Sequence, residues 1–251
     1  MTYTARHPDP YPGSVLKDIR DHARLRFPFE SCGVVINGTY VPCENVHEKP
    51  WEAFRIDPGF ISKHWDDIEA IIHSHPNGNG YPSKADMRSA IPSGKIWGLI
   101  PVQDGFPMEI TWWGDPLPIP PLTRRSFIWN VFHCLQLYRD WWRMERGINI
   151  PNFPVAKLDF WRRDVFGEHC LESGHIDLGK PKSPVDLEIG DMLLTKINCR
   201  NPNHCAIYVG DDVFIHHPAD ALSQRGSVIR EWDRLDRVFR YDLRNTGSSS
   251  P

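Results

Sequence analysis

Residues 73–86 read HSHPNGNGYPSKAD, and this stretch decides the fold of the first half of the chain. The run into it, AIIHSHP (70–76), is a short apolar segment of the kind that forms a buried strand. Residues two apart on a strand share a face, so His73 and His75 can present two imidazoles to one ion. Ser83 opens SKADMRSAI as a helix N-cap, and Asp86 then lies in the first turn, where its carboxylate can turn back toward the strand end. Two imidazoles and one carboxylate leave a fourth tetrahedral position for water, the plan of a catalytic rather than a structural zinc site. Such a site needs a second carboxylate as its base. A lone His-x-His pair would more readily read as a polar surface turn.

Working outward, Val15, Leu16, Ile19, Ala23 and Phe27 recur at helical spacing after Ser14, a candidate N-cap. GVVINGTYV places Asn37-Gly38 between two apolar runs, a hairpin signal. Phe60, Ile61, His64, Trp65 and Ile68 form another helical pattern ahead of the histidine strand, and MEITWW (108–113) alternates as a strand. DPLPIPPL (115–122) follows, with four prolines that remove donors and extend the backbone. The reading is therefore a mixed α/β domain over 1–114, a proline-rich linker over 115–125 and a second domain over 126–251. In that second domain CLQLYRDWW reads as a helix, while LEIGDMLLT and HCAIYVGDDVFIHH read as strands, an α+β order.

Length and composition agree. The chain has 251 residues, enough for two compact cores, and its net charge of −3 gives no basic field for a phosphate backbone, which argues against nucleic acid as a partner. No stretch approaches the ~20 apolar residues of a membrane span, and the start, MTYTARHPDPYPG, lacks the apolar core of a secretory signal, so a chain made and kept in the cytoplasm is expected. The six cysteines form no CxxC pair and read as reduced thiols. Arg124-Arg125 and Arg162-Arg163 read as solvated faces, and the tail NTGSSSP as frayed.

HSHPNGNGYPSKAD resembles the JAMM (JAB1/MPN) metallopeptidase pattern of His-x-His-Pro, a spacer and Ser-x-x-Asp. PFESCG (28–33) is similar to the segment that carries that family's catalytic glutamate. The resemblance spans about residues 14–113. It implies Zn2+ held by His73, His75 and Asp86, with Glu30 as base and Ser83 as donor to the tetrahedral oxyanion.

In the second half, Cys134 opens a helix whose positive dipole end favours thiolate, and it shares a face with Tyr138 and Trp141. Taken alone, that describes a buried structural cysteine. His204 begins one strand and His216 ends the next. If Val209 pairs with Val213, then His216 opposes Ala206 and both imidazoles lie diagonally on one face; a one-residue slip would part them. A cysteine, a histidine base and an orienting group form the set for amide hydrolysis through a thioester. FHCLQLYRDWW, LEIGDMLL and NHCAIYVGDDVFIHHP are similar to the NlpC-type papain-like cell-wall peptidases over about residues 126–242. The resemblance implies Cys134 as nucleophile, His204 as base and His216 as orienting residue. The Asp that usually precedes the nucleophile is replaced by His133. His217 is expected to face away from the pair, as a structural or surface residue, and Cys205 to lie in the core.

The two domains in this order resemble the tail-tip assembly proteins of lambda-type phages. That implies a bifunctional peptidase acting on peptidoglycan stems or cross-links, with other tail-tip proteins as partners and the virion tail tip as its final place. Two alternatives remain open: a largely structural assembly factor, and an intracellular isopeptidase acting on a ubiquitin-like tag.

Overall fold

The computed structural model describes residues 7–244; the polar tail 245–251 lies outside the described residues. The chain divides into two compact units, His7–Pro118 and the residues from Ile119 on.

The first unit runs α1 (Gly13–Arg26), β1 (Cys32–Ile36), β2 (Thr39–Cys43), α2 (Pro58–His64), β3 (Ile68–Pro76), α3 (Lys84–Ser93), β4 (Ile96–Gln103), β5 (Phe106–Pro107) and β6 (Thr111–Trp113). Its sheet has the order β2-β1-β3-β4-β5, with β6 also on β4. All pairs are antiparallel except β3–β4, which α3 joins as a crossover. Asn37 (φ 48) and Gly38 (φ 70) make the two-residue turn of the β1–β2 hairpin, since both positions need positive φ. Val15, Leu16, Ile19 and Ala23 of α1 pack on the sheet with Val35, Ala70, Ile72 and Ile100. Of MEITWW (108–113) only Thr111–Trp113 pairs as a strand, and two further boundaries differ from the sequence reading. Pro12 rather than Ser14 caps α1, without a side-chain bond. Further on, α2 stops at His64, so Ile68 opens the buried strand instead of continuing the helix.

The second unit runs α4 (Cys134–Arg146), α5 (Asp159–Arg162), α6 (Val165–Glu172), β7 (His175–Gly179), β8 (Met192–Thr195), β9 (His204–Gly210), β10 (Val213–His216), β11 (Gln224–Ser227), α7 (Val228–Glu231) and β12 (Leu235–Tyr241). Its antiparallel sheet has the order β11-β10-β9-β8-β12-β7. Cys134, Leu137, Tyr138 and Trp141 follow helical spacing and turn one face of α4 onto Cys205, Ile207 and Phe239 of the sheet. Gly147, at φ 66, ends α4, with its N–H donating to the Arg143 carbonyl and that of Ile148 to Trp142, a Schellman closure.

The proline-rich stretch is divided between the units. Leu117 is buried in the first core, whereas Arg125 belongs to the second and is fully buried. That corrects its reading as a solvated charge. Prolines lack donors but keep their carbonyls, and the Arg125 guanidinium donates to those of Pro120 (2.6 Å) and Pro121 (2.9 Å) and to Asp140 Oδ2 (2.5 Å). Arg125→Ala leaves Asp140 as an uncompensated buried charge, so unfolding in urea should show a loss of about 3–5 kcal/mol. A change within about 0.5 kcal/mol, typical of a surface site, would contradict this.

Candidate active sites

In the first unit β3 delivers His73, fully buried, and His75 at the sheet end. Ser31 holds the preceding segment against β3: its N–H donates to Ser74 Oγ (2.8 Å) and its carbonyl accepts from Ser74 N–H (3.0 Å). Cys32 pairs with His73, so the same antiparallel pairing, carried back two residues, sets Glu30 opposite His75. The Glu30 backbone is further held by its N–H to the Pro50 carbonyl (2.7 Å) and its carbonyl to Asn45 Nδ2 (3.0 Å). Glu30 is 5% exposed. Burial first, then the Asp86 charge, raise its carboxyl to about 7, opposed by His75.

Asp86 arrives through a capping box at the start of α3. Its N–H donates to Ser83 Oγ (3.1 Å) while Asp86 Oδ2 accepts from Ser83 N–H (2.6 Å), the reciprocal arrangement that fixes a helix start. The carboxylate then reaches both rings: His73 Nε2 is 3.4 Å from Oδ1, His75 Nε2 is 3.5 Å from Oδ2, and the two Nε2 atoms are 3.3 Å apart. These separations fit a single tetrahedral ion, because Zn–N distances of about 2.0–2.1 Å imply ligand edges of about 3.3–3.4 Å. His75 Nδ1–H donates to the Asn79 carbonyl (3.0 Å), which leaves its Nε2 lone pair facing the centre. Phe54 stacks on His73 at 4.6 Å and fixes that ring from the side. His73, His75 and Asp86 are the group among the described residues whose ligand atoms converge within 4.8 Å. Glu30, His75, Ser83 and Asp86 line one cleft of about 560 Å³ with Trp51 and Phe54.

In the second unit Cys134 is the first residue of α4, after His133, which makes no side-chain cap bond. The first N–H groups of the helix have no partner within it. His204 and His216 come together as expected, with His204 Nε2 3.1 Å from His216 Nδ1, while His216 Nε2 lies 3.4 Å from Gln224 Nε2. The expected pairing of His216 with Ala206 is present, yet the turn differs. Val213 pairs with Gly210 and Phe214 with Tyr208, so Val209 is bulged, and Asp211 (φ 50) and Asp212 (φ 64) form a two-residue turn. The extra residue in β9 restores the register that a longer turn would have given.

Hydrogen bonds with the Cys205 thiol, His133 and His204 hold the Cys134 thiol well below the ordinary thiol range, against its burial. Cys205 is pushed the other way by burial and by Cys134. Because His204 Nε2 is engaged by His216, Nδ1 is the nitrogen left for Cys134. Burial, then His204, push His216 down to about 4, so at neutral pH it serves as a neutral hydrogen-bonding ring. His217 is 1% exposed and packs edge-on to Phe127, an interior residue and not a surface one. His133, in place of the usual Asp, stacks on Trp129. Cys205 is in the core as expected. Its position one residue after His204 was the available signal, since alternation turns it toward α4. A groove of about 450 Å³ opens from His204 and His216 between Phe214 and Trp232, with Arg225 and Arg230 on its wall.

Comparison with known proteins matches residues 12–113 to the prokaryotic homologs of the JAB domain and residues 123–236 to the NlpC/P60 family. Tail tip assembly protein K of Escherichia phage N15 is 27% identical over 234 residues, covering 89% of this chain and 92% of that protein. Tail tip assembly protein K of Escherichia phage lambda is 31% identical over 169 residues, covering 67% and 78%. Among solved structures, an NlpC/P60 family protein from Bacillus cereus is 14% identical, covering 92% of this chain and 67% of that one at a TM-score of 0.27, too distant a likeness to inform the argument. With two convergent sites on its two units and these relatives, the chain belongs to the family of tail tip assembly protein K, with a JAB-like domain followed by an NlpC/P60 domain.

Proposed function

We propose that this chain is a bifunctional peptidase of a phage tail tip, made in the host cytoplasm, built into the virion beside other tail-tip proteins, and directed at peptidoglycan peptides. The observation that carries the reading is the His204–His216 pair, Nε2 to Nδ1 at 3.1 Å, together with Cys134 at a helix N-terminus.

In the second domain the Cys134 thiolate attacks the scissile carbonyl and the amide C–N bond breaks as His204 passes a proton to the leaving amine. Water, deprotonated by His204, then opens the thioester. The free N–H groups at the start of α4 face the developing oxyanion, where donors are worth most. His216 keeps His204 in the tautomer that presents Nδ1 to the thiol.

In the first domain His73, His75 and Asp86 would hold zinc. A zinc ion bound there supplies acidification of a water and polarisation of a carbonyl. Glu30 takes the proton of the attacking water and hands it to the leaving amine of an amide or isopeptide bond, and a raised carboxyl pKa suits both halves of that transfer. The Ser83 hydroxyl, which accepts from Asp86 N–H, keeps its own proton to donate to the oxyanion.

Dialysis against zinc followed by metal analysis tests the first domain. One zinc per chain is expected, falling to none in His73→Ala. No uptake by the wild type would overturn the assignment.

A further inference from the structure

The His204–His216 pair has a third member on the edge strand. β11 lies antiparallel on β10 with Gln224 directly opposite His216, so both side chains stand on one face of the sheet, and the Gln224 amide reaches His216 Nε2 with its nitrogen at 3.4 Å. The strand that carries it is held at both ends. Before it, buried Ser223 accepts at its carbonyl from Arg124 N–H (2.7 Å) and at its Oγ from Arg125 N–H (2.9 Å), and its own N–H donates to the Arg125 carbonyl (3.1 Å). Beyond it, Ser227 Oγ donates to Asp212 Oδ2 (2.6 Å). Between these anchors Gly226 pairs with Phe214, whose ring packs so closely on the β11 backbone that a Cβ at 226 would collide with it. The same Phe214 ring stands edge-on to His216 at 5.0 Å. Gln224 is thus an exposed side chain on a fixed backbone, facing a ring that is itself held.

This geometry constrains where the protons sit. His204 works as a base through Nδ1, and in both its neutral and its imidazolium form Nε2 keeps a hydrogen. That Nε2–H donates to His216 Nδ1 across 3.1 Å. A neutral imidazole that accepts at one nitrogen carries its hydrogen on the other, and burial keeps His216 neutral, pushed down to about 4. Its hydrogen is therefore on Nε2, facing Gln224. The two ends of a glutamine amide, one donor and one acceptor, exchange by a half-turn about the last side-chain bond. With its nitrogen toward the ring, Gln224 would need a lone pair at His216 Nε2. The ring hydrogen would then move to Nδ1 and donate to His204 Nε2, and neutral His204 would be left with its hydrogen on Nδ1, the wrong nitrogen for a base. We propose that Gln224 is a positioning residue of the second site, whose side-chain oxygen accepts from His216 Nε2–H and so fixes the His216 tautomer that leaves His204 Nδ1 free. The effect on rate rests on the peptidase reading of Cys134 and His204, while the tautomer is read without substrate.

The test compares the full-length wild type with Gln224→Met, which keeps the side-chain length and removes the acceptor, and with Gln224→Glu, which offers acceptors alone. Gln224 is exposed, so both variants should fold as the wild type does, checked by an unchanged backbone amide spectrum. Long-range nitrogen–proton correlation spectra at pH 7 should show the His216 hydrogen on Nε2 in the wild type and in Gln224→Glu, and divided between the two nitrogens in Gln224→Met. On peptidoglycan peptides kcat should fall about tenfold in Gln224→Met, the worth of one hydrogen bond, with KM little changed, and should recover in Gln224→Glu. A wild-type His216 with its hydrogen on Nδ1 overturns the proposal. So does a Gln224→Met chain that matches the wild type in tautomer and kcat, one whose loss lies wholly in KM, or a Gln224→Glu chain no better than Gln224→Met. A wild type that cleaves nothing, yet holds the hydrogen on Nε2 and loses that preference in Gln224→Met, would refute the peptidase reading and leave the role of Gln224 toward His216 standing.

Discussion

Cys134→Ala and His204→Ala are each expected to lower peptide cleavage by about 10⁴- to 10⁶-fold, the loss seen when either member of a nucleophile–base unit is removed. His216→Ala should fall about two orders of magnitude short of that, because an orienting group acts through the base. The same unit predicts reactivity without substrate. Hydrogen bonds hold the Cys134 thiol low, so iodoacetamide should label it at pH 6, where a thiol of ordinary pKa, about 8.5, is almost wholly protonated. His204→Ala should slow that labelling. Cys170, pushed up to about 12 by burial, should stay unlabelled in the folded chain. If Cys134 is spared at pH 6, the thiolate reading fails and the domain is better understood as structural.

Glu30→Gln should abolish hydrolysis by the first domain while the chain still takes up one zinc. Glu30 lines the cleft but is not among the three converging ligand groups. Loss of its proton-transfer role should cost about 10²- to 10⁴-fold in rate. Retained turnover would remove Glu30 from the mechanism, and lost zinc would make it a ligand.

Much of this architecture is written in short-range signals. Asn37-Gly38 sets its hairpin because both residues tolerate positive φ, and Ser83 with Asp86 sets the start of α3 because a capping box closes within four residues. The His73 and His75 spacing is a property of any strand. What was not legible depends on segments meeting from far apart. Arg125 reads as a solvated charge until Asp140 and the carbonyls of Pro120 and Pro121 enclose it. At β9–β10 the sequence reading reached the right partner for His216 by a three-residue turn, where the chain instead uses Asp211-Asp212 and a bulge at Val209. The two routes coincide at His216 because one bulged residue shifts the register as far as one extra turn residue.

The central claim is that the Cys134, His204 and His216 unit cuts peptidoglycan peptides. Its most direct measurement is mass spectrometry of the fragments released from purified peptidoglycan by the wild-type chain and by Cys134→Ala. The wild type should release new peptide termini, and Cys134→Ala none above background. Equal release by both, or none by a wild type whose Cys134 is labelled at pH 6, would contradict it.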